Sequence, residues 1–123
     1  MAYYNEHTVL YLNGGFIKAA DARMDFYSQS LHYGYSVFEG IRSYKTSSGS
    51  TRIFKATEHY DRLKQSADAL NMPYKWETEE LISITYELLE KNQLSDAYIR
   101  PLIYAPANMG FIQNKESFIV DVS

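Results

Sequence analysis

Residues 57–91 carry apolar positions at helical spacing, and strand-like segments lie on both sides of them. That order constrains the fold more than any other feature of the chain. Tyr60, Leu63, Ala67 and Leu70 recur at i, i+3, i+7 and i+10, with Thr57 as the expected N-cap. "NMPY" (71–74) ends this helix. A second is expected from Thr78, with Glu79 and Glu80 in its first turn, Leu81, Ile84 and Leu88 facing inward, and a stop near Lys91 and Asn92. Upstream, "TVLYL" (8–12), the turn "NGG" and "FIKA" predict a hairpin, and "TSSGS" (46–50) is a second hairpin loop leading into "TRIF". The polar stretch 20–34 is irregular, with room for one short helical turn. Downstream, "AYIRPLIYA" (97–105) predicts a strand in which Pro101 marks an edge or a bulge, and "SFIVDV" (117–122) predicts a last strand. Strand hairpins around a central helical pair predict an α+β domain, a mainly antiparallel twisted sheet with two main helices packed on it.

Composition excludes several classes of function. At 123 residues, 46% hydrophobic and 22% charged, the chain has the values of one globular domain. A net charge of −3 without a basic cluster argues against nucleic acid as a partner. The absence of cysteine removes disulfides, zinc–thiolate sites and thiol catalysis together, and fits a reducing compartment. No apolar run approaches the ~20 residues that span a membrane, and the first residues lack the basic start of a signal peptide, so the cytoplasm is the expected location. His7, His32 and His59 share no metal-ligand spacing, and no nucleophile elbow, phosphate loop or dinucleotide glycine pattern occurs.

The chemistry is carried by arginine and tyrosine on strands. If "LHYGYSVFEGIRSYK" (31–45) is extended, Ser36, Phe38, Gly40, Arg42 and Tyr44 share one face, and Tyr35, Val37, Glu39, Ile41 and Ser43 the other. In 97–105, Tyr98, Arg100, Leu102 and Tyr104 share a face. Were the two strands neighbours, these rows would form a pocket for small anions, because guanidinium grips a carboxylate or phosphate at two points and a phenol can complete the set. The simpler alternative makes Arg42 and Arg100 surface residues or structural ion pairs, for instance with Glu39. Glu39 itself then satisfies nearby backbone or an arginine, and Arg62 is a solvated helix charge. The 12 tyrosines suit pockets and interfaces.

"LHYGYSVFEGIRSY", "HYDRL" (59–63) and "AYIRPLIY", in that order and spacing, resemble the branched-chain amino acid aminotransferases of the fold-type IV pyridoxal phosphate enzymes, from about Tyr11 onward. The sister D-amino acid aminotransferases and aminodeoxychorismate lyases usually lack the "VFEGIR" string. The resemblance implies that leucine, isoleucine or valine passes its amino group to 2-oxoglutarate. It implies that Arg62 binds the pyridoxal 5'-phosphate phosphate, and that Phe38 and Gly40 line the substrate side-chain pocket. By the same resemblance Tyr98 lies near the α-carboxylate, Arg100 receives the distal carboxylate of glutamate, and Arg42 stands near the pocket. Tyr33 and Phe111 match positions that reach the other subunit's pocket in a homodimer. The family residue at Phe111 is often smaller.

The family's Schiff-base lysine matches none of Lys18, Lys45, Lys55, Lys64, Lys75, Lys91 or Lys115. The expectation is therefore an N-terminal small domain, residues 1–123, whose catalytic lysine lies in a second domain beyond Ser123. Such a chain is inactive alone and holds no cofactor stably. The alternatives are a non-catalytic, self-associating domain, or a relative of the D-amino acid aminotransferases or aminodeoxychorismate lyases.

Overall fold

The structure, a computed structural model, describes residues 3–110 and 115–123. Strands β1 (Val9–Leu12) and β2 (Gly15–Lys18) form the first hairpin, followed by a 3-10 turn (Ala19–Asp21) and a short helix α1 (Gln29–Tyr33). Then come β3 (Ser36–Phe38), β4 (Ile41–Lys45), β5 (Thr51–Ile53), α2 (Ala56–Ala69), α3 (Thr78–Lys91), β6 (Ala97–Tyr104) and β7 (Phe118–Val122). The sheet runs β2-β1-β7-β6-β4-β5, with β3 also on β6, and all its pairings are antiparallel. The expected α+β architecture is the observed one.

Helices α2 and α3 cover one face. Tyr60, Leu63, Ala67, Leu81 and Leu89 pack there against Tyr11, Val37, Ile41, Ile99, Ile103 and Ile119. Each leucine or isoleucine among them, fully withdrawn from water, contributes roughly 1.5–3 kcal/mol. The other face stays open on β3, β4 and β6. On α2, Tyr60, Leu63 and Ala67 face inward as their spacing predicts, whereas Leu70 is the C-cap and exposed. On α3, Thr85 is buried where the pattern offered Ile84, which is only half buried.

Two local expectations are corrected. The residue that starts α2 is Lys55, in a left-handed conformation (φ 51°) with no side-chain cap, and Thr57 lies inside the helix. Pro101 is at neither an edge nor a bulge: β6 is central, and Pro101 is fully buried opposite Asp121. The pairing Ser36↔Tyr104, Val37↔Ile103, Phe38↔Leu102 continues in register to Ile41↔Ile99, so Glu39 faces Pro101 and Gly40 faces Arg100. Glu39 N–H still donates to the Pro101 carbonyl (3.1 Å), but Pro101 has no N–H to return. One missing donor thus divides a strand of continuous alternation into β3 and β4.

Beneath the sheet lies a buried polar cluster from three distant segments. Tyr60 Oη and Thr85 Oγ1 contact Asp121 Oδ2 at 3.1 and 2.8 Å and each other at 2.5 Å, while Thr85 Oγ1 also reaches the Leu81 carbonyl at 2.7 Å. Burial pushes the Asp121 carboxyl up to about 6, against the lowering effect of the two hydroxyls.

Candidate functional site

The alternation anticipated for 36–44 survives the Pro101 interruption. Val37, Glu39, Ile41 and Ser43 are buried on the helix side, and Phe38, Gly40, Arg42 and Tyr44 are exposed on the open side. On β6, Tyr98 and Arg100 are exposed beside them, with Arg42 directly opposite Tyr98. The two arginine–tyrosine rows therefore do stand together on one face.

Phe38 meets Arg100 and Gly40 meets Tyr98 along the diagonals that a twisted antiparallel pair makes close, and the other contacts join residues two apart on one strand. The Arg100 guanidinium lies 4.7 Å from the Phe38 ring centre and 5.4 Å from that of Tyr98, and Arg100 Nη2 donates to Tyr98 Oη at 3.0 Å. Tyr98 leans over Gly40, with Oη 2.6 Å from the point a Cβ there would occupy. Arg42 lies over the Tyr44 ring at 5.9 Å. Among the described residues neither Arg42 nor Arg100 has an acidic partner. Two guanidiniums, two phenols and the Phe38 ring are thus presented outward, with no carboxylate among the described residues paired to them.

Glu39 points the opposite way, which removes it as a partner for Arg42 or Arg100. Arg62 on α2 grips it in a fork, Nε at 3.0 Å from both carboxylate oxygens and Nη2 at 2.7 Å from Oε1. His59 Nδ1 lies 2.7 Å from the same Oε1. Burial raises the Glu39 carboxyl, but the hydrogen bonds and charges of Arg62 and His59 outweigh it and hold the group below its ordinary value. Arg62 is therefore more than a solvated charge, and an arginine is what satisfies Glu39. The role of His59 was not legible in the sequence, since contact with a residue 20 positions away leaves no local pattern.

Arg62 stays 64% exposed, so its guanidinium also faces outward, beside Lys55 and His59 at a cavity of about 500 Å³ that Glu58 and Asp61 share. An outward guanidinium edge beside an ammonium is donor chemistry that fits a phosphate. Tyr33 ends α1, its Oη donating to the Met109 carbonyl at 2.9 Å, and Gly34 follows it in the left-handed conformation. Ser28 Oγ to the Ala105 carbonyl (2.6 Å) and Gln29 Nε2 to the Gly110 carbonyl (3.0 Å) tie this segment to the loop after β6. Phe111 lies outside the described residues. No group of three or more potential metal ligands forms among the described residues.

The family model for amino-transferase class IV matches residues 36–120. The branched-chain-amino-acid aminotransferase of Escherichia coli K12 is 40% identical over 95 residues, covering 77% of this chain and 30% of that protein. The crystal structure of the Escherichia coli branched-chain amino acid aminotransferase superposes with a TM-score of 0.89 at 33% identity, over 94% of this chain and 39% of that one. The branched-chain aminotransferase of the thermophilic archaeon Thermoproteus uzoniensis, solved with norvaline, gives a TM-score of 0.87 at 27% identity, over 94% of this chain and 39% of that one. The chain spans about a third of the length of these relatives. The match takes in β3, β4, both long helices, β6 and most of β7, and with them every element that builds the open face: the chain belongs to the class IV amino-transferases.

Proposed function

We propose that this chain is the small N-terminal domain of a pyridoxal 5'-phosphate-dependent aminotransferase that moves the amino group of leucine, isoleucine or valine to 2-oxoglutarate, in the cytoplasm. The observation that carries this reading is the outward cluster of Arg42, Tyr98 and Arg100 beside Phe38, a surface with donors for two carboxylates and an apolar wall. Tyr98 holds the α-carboxylate, Arg100 takes the distal carboxylate of glutamate or 2-oxoglutarate, and Phe38 packs on the aliphatic side chain. Arg42, opposite Tyr98, keeps this region positive. Arg62 holds the cofactor phosphate through its outward edge while Glu39 fixes the guanidinium from behind. The cofactor, once bound, supplies the electron sink for chemistry at the substrate Cα.

Positions 36, 38, 40, 42, 44, 98, 100, 102 and 104 of the open face carry no lysine. In this reading the Schiff-base lysine comes from chain outside these 123 residues. The test compares two proteins. The product of the complete reading frame is expected to transaminate leucine with 2-oxoglutarate in the presence of cofactor. The 123-residue chain is expected to do neither this nor to retain visible absorbance after incubation with cofactor and dialysis. Colour that persists in the short chain, and is absent from a protein-free control, would overturn the division of labour proposed here.

The reading extends to a homodimer in which Tyr33 and Phe111 reach the partner's pocket. Phe26, Tyr27, Leu31, Tyr33 and Met109 are 78%, 63%, 55%, 46% and 48% exposed, and α1 is tied to the loop carrying Met109. Exposed aromatic and aliphatic groups of this kind are what interfaces use. Sedimentation equilibrium at micromolar concentration is expected to return twice the monomer mass. A monomer throughout that range would remove the intersubunit roles of Tyr33 and Phe111.

A further inference from the structure

We propose that Gly40 is a positioning residue: its missing side chain is the seat in which the Tyr98 phenol rests so that it can hold Arg100. Gly40 faces Arg100 across the β4–β6 register, and Tyr98, two residues before Arg100, leans diagonally into the space that Gly40 leaves. A Cβ at position 40 would come within 2.6 Å of Tyr98 Oη, 3.2 Å of Cζ and 3.3 Å of Cε2. The first distance is far below contact, so the phenol has to move. It can do so without disturbing the core, because Tyr98 stands on the open face and is 43% exposed in this chain. The 3.0 Å hydrogen bond from Arg100 Nη2 is made to Oη where it now lies, and displacing Oη takes it out of that geometry. The backbone at Gly40 is not in the left-handed region, and the three atoms nearest an added Cβ all belong to this phenol. The requirement for glycine at this point is imposed by the binding surface and not by the fold.

Where the proposal concerns ligand affinity it rests on the anion-binding role given above to Arg100. The experiment separates the two. Gly40→Ala is made in the full-length protein, and its crystal structure, thermal midpoint and affinity for glutarate are measured. The midpoint is expected to stay within a degree or two of the parent. Tyr98 Oη is expected to leave hydrogen-bonding distance of Arg100, and glutarate affinity to fall about tenfold, the worth of one hydrogen bond to a charged group. In a Tyr98→Phe background the same glycine substitution is expected to cost far less, because the atom it displaces is gone. The proposal is overturned if Oη stays within 3.2 Å of an Arg100 nitrogen in Gly40→Ala, or if the loss in affinity is as large with Phe at 98. Arg100→Ala with undiminished glutarate binding would overturn the dicarboxylate role alone. The displacement of Oη in the Gly40→Ala crystal structure would still decide the seat.

Discussion

Arg100→Ala in the full-length protein is expected to raise KM for glutamate ten- to a hundredfold more than KM for leucine. The asymmetry follows from chemistry: only glutamate presents a second carboxylate. Arg100 is free to receive it, because its guanidinium is held against Phe38 and Tyr98 and has no acidic partner among the described residues. A charge-assisted hydrogen bond lost from such a site costs about 1.5–3 kcal/mol, which is the stated range. The substitution removes an exposed side chain, so thermal stability is expected to stay close to that of the parent. Steady-state kinetics with both amino donors, run beside a melting curve, checks this. Equal losses on glutamate and leucine would make Arg100 a structural residue and withdraw the role proposed for it.

The second large effect concerns pH and stability. Four contacts join Tyr60 Oη, Thr85 Oγ1, Asp121 Oδ2 and the Leu81 carbonyl, yet the two hydroxyls own only two protons. An ionised Asp121 leaves two contacts without a proton, and a neutral one supplies a third donor. Asp121 Oδ1 has no partner among the described residues, which an ionised carboxylate would tolerate poorly. Burial accordingly raises the group from 3.8 to about 6. For an acid raised on folding, the folded state is favoured at low pH, and the advantage is lost as pH climbs from about 4 to about 6. At 1.36 kcal/mol per unit the full loss is roughly 3 kcal/mol, of which about 2 kcal/mol falls above pH 4.5.

Glu39 works in the opposite sense, since its lowered pKa contributes stability that is lost only as pH falls below its ordinary 4.5. The two windows therefore separate. Urea unfolding of this chain is expected to show stability falling by about 2 kcal/mol between pH 4.5 and 7.5. Asp121→Asn, which keeps the shape of the neutral acid, is expected to flatten that slope. A parent curve already flat over this range would mean that Asp121 is ionised in the folded protein.

The aromatic–arginine face was legible because strand alternation is local: residues 36–44 and 98–104 state which side chains share a side whatever lies around them. The motifs "VFEGIR" and "YIRP" then pointed to a family that the match over residues 36–120 bears out. Pro101 misled, because a proline in a strand signals an edge only when its missing donor cannot be spared. Here it faces Glu39, whose own N–H keeps the pairing in register.

Sequence by itself determined the main elements, their order, the two faces of residues 36–44 and the inward side of α2 at Tyr60, Leu63 and Ala67, all of which follow from spacings of a few residues. Tertiary structure alone decided the partners. It brought Arg62 and His59 to Glu39 across 23 and 20 positions, and Tyr60 and Thr85 to Asp121 across 61 and 36. It laid Tyr98 in the space beside Gly40. Such contacts depend on which strand lies beside which and on how a twisted sheet skews its side chains, and no local period of the chain encodes that.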